Sequence, residues 1–268
     1  MLDGVPELVF GSSIQPGTSG SAWAFIGNGS GGFSQVDAAT TTMTNTYGVV
    51  ALTTVDLDGD GRNDVVAGTA FSSSGAMFRR SMTQASGAFG TWLTGASASY
   101  SYAGCTGIAA GNFFGDGRPA VILNYSQDPS DGNNRQLAMF SGATLSTQQN
   151  LAAPATLGKC IGIGDFDLDG KTDFALSMTT ATIGVYKGAT LVLTQTLDAA
   201  AGSPSVSSPR TGRIGAGDLD ADGKPDLIVA TSYWARDYQP YIYSGSYQLN
   251  TSGDGGTKGL VIYLNTSN

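Results

Sequence analysis

The sequence predicts an all-β fold, a β-propeller of five four-stranded blades occupying residues 1–268 as one domain. Three observations predict it. An acidic nine-residue loop recurs at a nearly constant step, short apolar runs flank each copy, and the composition disfavours helix.

The loop comes first in the argument. Asp56-Leu57-Asp58-Gly59-Asp60-Gly61-Arg62-Asn63-Asp64 recurs as Asp165-Phe166-Asp167-Leu168-Asp169-Gly170-Lys171-Thr172-Asp173. It recurs again as Asp218-Leu219-Asp220-Ala221-Asp222-Gly223-Lys224-Pro225-Asp226. A worn copy runs from Asn112 to Ala120, and a beheaded one, Asp3-Gly4-Val5-Pro6-Glu7, opens the chain. The shared glycines Gly4, Gly61, Gly117, Gly170 and Gly223 are 57, 56, 53 and 53 residues apart, which defines five units.

The flanks are strands. Val49–Leu52, Ile108–Ala110, Ile161–Ile163 and Ile214–Ala216 precede the loops. Leu8–Phe10, Val65–Ala67, Val121–Leu123, Phe174–Leu176 and Leu227–Val229 follow them. These runs are short, often β-branched and bounded by glycine, as buried strands are. Further along four of the units lies an aromatic-X-Gly turn: Phe25-Ile26-Gly27, Phe140-Ser141-Gly142, Tyr186-Lys187-Gly188 and Tyr243-Ser244-Gly245. It predicts an outer hairpin. Gly259–Leu264 resembles a pre-loop strand, so joining the ends closes a ring with a last step of 49 residues, (268 − 223) + 4. The alternative is a fragment of a seven-bladed ring.

Composition agrees. Of 21 acidic residues only Glu7 is a glutamate, although glutamate is the better helix former. Glycine numbers 39, about twice the average share. With no histidine, histidine triads and histidine zinc sites are excluded. A net charge of −8 and a pI near 4.3 argue against a nucleic-acid partner. No apolar stretch reaches the roughly 18 residues of a membrane span, so no membrane insertion is expected. Met1-Leu2-Asp3-Gly4 does not read as a secretory leader.

The spacing Asp-X-Asp-X-Asp-Gly-X-X-Asp suits a hard cation. Carboxylates at positions one, three and five converge when the chain curls, and the glycine at six permits the turn. Position seven offers its carbonyl, and the aspartate at nine offers two oxygens. Calcium takes six to eight such oxygens, whereas zinc prefers nitrogen and sulfur. The ligand sets are then Asp56, Asp58, Asp60, Arg62 and Asp64; Asp165, Asp167, Asp169, Lys171 and Asp173; and Asp218, Asp220, Asp222, Lys224 and Asp226. That makes about three calcium sites. Asn112 and Asp116 are weak further candidates. Aspartates that merely cap turns are the plainer alternative.

These loops, with apolar strands on both sides and blade-length spacing, resemble the FG-GAP/VCBS repeats of integrin-α-like propellers. The resemblance covers nearly the whole chain. It implies blade-edge calcium in a secreted or cell-surface protein, and it leaves the ligand open.

Three functions compete. A non-catalytic binding or adhesion module would take an extracellular glycan or protein, with Tyr233, Trp234, Arg236, Asp237 and Tyr238 as its contact surface. A polysaccharide hydrolase or lyase would need a carboxylate pair. Glu7, Asp37, Asp128, Asp131, Asp198, Asp237 and Asp254 form no recognisable one. A structural or assembly unit of a surface protein fits the low charge of 13%. Cys105 and Cys160 are either an inter-blade disulfide or two small buried apolar groups. Asn28, Asn124, Asn250 and Asn265 each begin a glycosylation triplet.

Overall fold

The computed structural model describes residues 7–12, 20–36, 42–43, 48–69, 78–86, 88–95, 104–126, 135–142, 144–151, 157–178, 182–188, 190–198, 210–232, 258–263 and 265. These residues form five antiparallel sheets and no helix. The first contains β1 (Leu8–Ser12), β2 (Gly20–Gly27), β3 (Phe33–Gln35) and β4 (Thr42–Met43), with β2 paired to the other three. The second is the meander β5 (Val49–Val55), β6 (Asp64–Thr69), β7 (Phe78–Ser81) and β8 (Leu93–Thr94). The third is β9 (Gly104–Gly111), β10 (Ala120–Ser126), β11 (Arg135–Ser141) and β12 (Thr147–Leu151). The fourth is β13 (Leu157–Gly164), β14 (Asp173–Met178), β15 (Thr182–Tyr186) and β16 (Leu193–Asp198). The fifth is β17 (Arg210–Gly217), β18 (Asp226–Ser232) and β19 (Lys258–Tyr263).

The pre-loop runs therefore form the first strands β5, β9, β13 and β17. Each loop is the hairpin into the second strand. β1, β5, β9, β13 and β17 pack on one another in that order. A cavity of about 180 Å³ lies between Leu52, Ile108, Ile161 and Ile214, where four first strands converge. It marks the axis around which the sheets are arranged.

Each second strand is covered on both faces, which is why its sequence is a continuous apolar run rather than an alternation. Phe174, Ala175 and Leu176 are all fully buried. Phe174 and Leu176 pack toward the third sheet with Ile122 and Met139. Ala175 packs toward the fifth with Leu227 and Val229. The aromatic-X-Gly turns also lie where expected. Phe140 ends β11 ahead of Gly142 (φ +86°), Phe25 ends the β2 hairpin, and Tyr186 closes β15 and stacks on Phe174 at 5.1 Å.

The structure corrects one expectation and decides another. Gly259–Leu264 does not supply a first strand: β19 is the third strand of the fifth sheet, antiparallel to β18 with Leu227 opposite Tyr263. First and third strands here share the same short apolar pattern, so the pattern could not separate them. β1 follows its loop as β6, β10 and β14 do, yet it lies at the end of its sheet's strand order. The fifth sheet has three strands among the described residues. The cysteines are both free and buried. Burial pushes the Cys105 thiol up to about 12, and its sulfur lies against Gly68.

Candidate metal centres

Each full loop is held by its own carboxylates, whose oxygens accept hydrogen bonds from backbone N–H groups. The aspartate at position one closes the turn. Asp56 accepts from the Gly59 and Gly61 N–H groups at 2.7 and 2.8 Å. Asp165 accepts from Asp169 and Gly170 at 3.0 and 2.8 Å. Asp218 accepts from Asp222 and Gly223 at 3.1 and 2.9 Å. Position three adds a longer contact, Asp58, Asp167 and Asp220 accepting from the position-five N–H at 3.2, 3.3 and 3.3 Å. The curl needs left-handed backbone at positions four and six. Gly61, Gly170 and Gly223 have φ of +85°, +82° and +87°, as the sequence led one to expect of glycine.

The aspartate at position nine is a staple as well as a donor. Asp64, Asp173 and Asp226 are 1%, 3% and 1% exposed. One oxygen of each accepts from the position-two N–H: Leu57 at 3.0 Å, Phe166 at 3.1 Å and Leu219 at 2.8 Å. The other accepts from the chain just beyond the third strand: Thr83 at 2.7 Å, Gly188 at 2.9 Å and Asn265 at 2.8 Å. Burial pushes the Asp64 and Asp173 carboxyls above the ordinary aspartate range, against the pull of these N–H donors, and neighbouring loop carboxylates add to the rise. The N–H groups of Asn265 and Leu219 instead hold Asp226 low.

Positions one, three and nine converge. Asp56, Asp58 and Asp64 bring carboxylate oxygens within 4.8 Å of one another, and so do Asp165, Asp167 and Asp173, and Asp218, Asp220 and Asp226. Three anionic oxygens aimed at one point fit a hard divalent cation, and they supply no soft ligand. Position five stands apart. Asp60, Asp169 and Asp222 pair with the side chains of Arg62, Lys171 and Lys224, the residues at position seven. One further cation intrudes. The Lys187 ammonium, from the aromatic-X-Gly turn, pairs with Asp167 and so occupies one corner of the fourth-sheet cluster.

The worn loop keeps the path with one aspartate in place of four. Gly115 and Gly117 have φ of +72° and +75°, matching positions four and six of the full loops. Asp116 accepts only from the Arg118 N–H, at 3.0 Å, and Asn112 is joined to the next loop through its carbonyl, which accepts from Thr172 at 3.0 Å.

The two ends of the chain now match known families. Residues 2–67 match the FG-GAP-like repeat and residues 211–243 the FG-GAP repeat. These two segments carry FG-GAP repeats. With five antiparallel sheets and no helix among the described residues, the fold is an all-β propeller. Solved structures with low similarity include Saccharomyces cerevisiae Sqt1, 13% identical over 84% of this chain and 55% of Sqt1, with a TM-score of 0.49. The Dos1 propeller is 14% identical over 80% of this chain and 49% of its own, at 0.47. BBS1N, solved in complex with ARL6DN, is 12% identical over 79% and 57%, at 0.42. The chain spans about half the length of these structures. Among curated protein sequences there is no match.

The FG-GAP loops could not disclose everything from sequence. Thr83, Gly188 and Asn265, the donors that lock position nine, lie 19, 15 and 39 residues away from it. The pairing of strand ends found them. Tyr233, Trp234, Arg236, Asp237 and Tyr238 lie outside the described residues, as do Tyr243-Ser244-Gly245, Asn250, Asp37, Asp128, Asp131 and Asp254. Asn124 is fully buried in β10, which leaves no room for a glycan in the folded chain.

Proposed function

We propose that residues 1–268 form one propeller domain that binds calcium through its three full FG-GAP loops and serves as a non-catalytic binding module outside the cell. The observation that carries this reading is the threefold convergence of carboxylates at positions one, three and nine. A bound calcium ion would cancel the repulsion within each cluster and fix the hairpin between a first and a second strand. The ligands would be Asp56, Asp58 and Asp64, with their counterparts Asp165, Asp167 and Asp173, and Asp218, Asp220 and Asp226. The lysine on Asp167 sets the fourth-sheet site apart, because it must leave before that oxygen can bind a metal.

The partner in this reading is an extracellular protein or glycan. Tyr233, Trp234, Arg236, Asp237 and Tyr238 are its proposed contacts, since flat aromatics beside a guanidinium suit both. The test is a binding screen over extracellular proteins and glycans, run with calcium and with chelator, beside a reducing-sugar release assay. Calcium-dependent capture without sugar release supports the module. Sugar release, or binding indifferent to calcium, rejects it.

A further inference from the structure

The three full loops differ at one place in the strand register. In each of them the side chain at position seven turns to position five: Arg62 to Asp60, Lys171 to Asp169 at 3.2 Å and Lys224 to Asp222 at 3.5 Å. Position five lies outside the convergent set of positions one, three and nine. Lys187 instead pairs with a member of that set, Asp167. The register explains how it arrives there. Lys187 precedes Gly188, whose N–H donates to the position-nine aspartate, Asp173, at 2.9 Å. The matching donors to Asp64 and Asp226 are Thr83 and Asn265. The residues before them are Met82 and Leu264, which carry no charge.

The fourth-sheet loop is also keyed into the third. Its Thr172 N–H donates to the Asn112 carbonyl at 3.0 Å. A Cβ on Gly111 would meet Thr172 at 2.6 Å, and one on Gly115 would meet the Lys171 stem at 2.8 Å. A Cβ on Gly188 would run into the Thr172 carbonyl. Phe174 meets Phe113 edge-on and carries Tyr186 stacked on its face. The third-sheet loop has Phe113 and Ala120 buried at positions two and nine, in place of a carboxylate cluster. These neighbouring hairpins are therefore held by groups the chain already carries. One uses apolar packing, and the other sets an ammonium against its carboxylates.

We propose that Lys187 is a resident counter-cation for the fourth-sheet loop, so that this site takes calcium last, and the third and fourth sheets keep their hairpins when the ion is withdrawn. Without an ion, the carboxylates at positions one, three and nine repel one another in every full loop. In the fourth, the ammonium relieves part of that repulsion. Calcium must then displace it from Asp167 before the third oxygen is available. The Lys187 and Asp167 side chains are 43% and 31% exposed, so the ammonium is free to swing out into water. An exposed pair of this kind corresponds to a change of about two- to fivefold in affinity. The order of filling rests on the calcium reading above, whereas the metal-free role of Lys187 does not.

Two measurements on the full chain test it. With the second- and fifth-sheet loops disabled by Asp58→Asn and Asp220→Asn, calorimetric titration with calcium reads the fourth-sheet site alone. Lys187→Met should tighten that site about two- to fivefold. The second measurement is hydrogen exchange of the otherwise wild-type chain in chelator. The Asp169 and Gly170 N–H groups, held by Asp165, should exchange more slowly than Asp60 and Gly61, held by Asp56, or Asp222 and Gly223, held by Asp218. Lys187→Met should remove that difference, and Lys187→Arg should keep the wild-type result in both measurements. A wild-type chain that takes up no calcium rejects the calcium reading and the order of filling with it. A chain that binds calcium while Lys187→Met leaves the isolated site unchanged or weaker overturns this inference alone. Equal exchange in the three loops also overturns it. If Lys187→Met fails to fold, Lys187→Gln takes its place.

Discussion

The loops of the third and fourth sheets are neighbours that follow one path with opposite chemistry. Both have left-handed backbone at positions four and six, and the Thr172 N–H of one donates to the Asn112 carbonyl of the other at 3.0 Å. The fourth-sheet loop holds four aspartates. The third-sheet loop has Phe113 and Ala120 at positions two and nine, both fully buried. Where the carboxylates are gone, the hairpin is held by apolar packing and the inter-loop hydrogen bond. The path therefore does not require the acids. Their convergence in three loops, beyond the turn-capping bonds they make, is what the proposed cation site accounts for.

If that contrast is right, the largest single-residue loss should come from the third-sheet loop. Phe113 packs edge-on against Phe174 with ring centroids 6.2 Å apart. Phe113→Ala should cost about 3–5 kcal/mol in a denaturant titration, as expected for a buried aromatic. It should cost the same with or without calcium. A loss that depends on calcium would mean that the third loop belongs with the other three.

Removing calcium should come next. By linkage, free calcium at 100 times its dissociation constant adds about 2.7 kcal/mol per independent site. Chelator should lower the melting temperature by several degrees, and calcium should restore it while equal magnesium should not, since magnesium sheds its waters reluctantly. An unchanged melting curve would turn the three full loops into ordinary hairpins and erase the difference from the third.

A matched pair of single substitutions sharpens the comparison further. Asp58→Asn removes one of three convergent carboxylates in the second-sheet loop, whereas Asp116→Asn removes a carboxylate with only a local N–H partner. Calorimetric titration should show one calcium equivalent weakened by the first and none by the second. In the absence of calcium, Asp116→Asn should change stability by less than about 0.5 kcal/mol, in line with surface substitutions generally.

The repeat, the strand pairs and the outer turns were legible in the sequence because they depend on local rules. Glycine at a left-handed position, aspartate in a turn and a short apolar run each admit few conformations. Two kinds of feature were not legible. The first depends on distant partners. The position-nine aspartate was expected only as a ligand, and its second role came to light because Thr83, Gly188 and Asn265 are brought to it by strand pairing. The second is competition among neighbours of one charge pattern. Position five was expected to point inward, yet Asp60, Asp169 and Asp222 each have a cation two residues on that draws them outward. The end of the chain shows a third limit: an apolar run such as Gly259–Leu264 records burial without recording which edge of a sheet it joins.

The smallest effect concerns position four, where a Cβ on Gly115 would meet Lys171 at 2.8 Å but one on Gly59 would meet nothing within 4 Å, so packing accounts for the first glycine and not the second. Gly59 and Gly115 are glycines at φ of +80° and +72°, but Leu168 and Ala221 take φ of +60° and +63° with a side chain. For an L-residue that conformation costs roughly 1–2 kcal/mol. Glycine avoids this cost but loses more backbone freedom on folding, by about 0.5–1 kcal/mol. Leu168 is 46% exposed, so little burial is lost when it is trimmed. Leu168→Gly should therefore be neutral or stabilising by less than about 1 kcal/mol, from the difference of those two terms. Gly59→Leu should destabilise by a similar amount, because a Cβ at Gly59 meets nothing within 4 Å and only the backbone term remains. Equal and opposite shifts in the denaturation midpoint would show that the full loops share one backbone energy and differ only in what they hold. A large loss on Leu168→Gly would instead mean that the leucine makes a contact needed by the fourth-sheet loop, and that the loops are not interchangeable frames for the same cation.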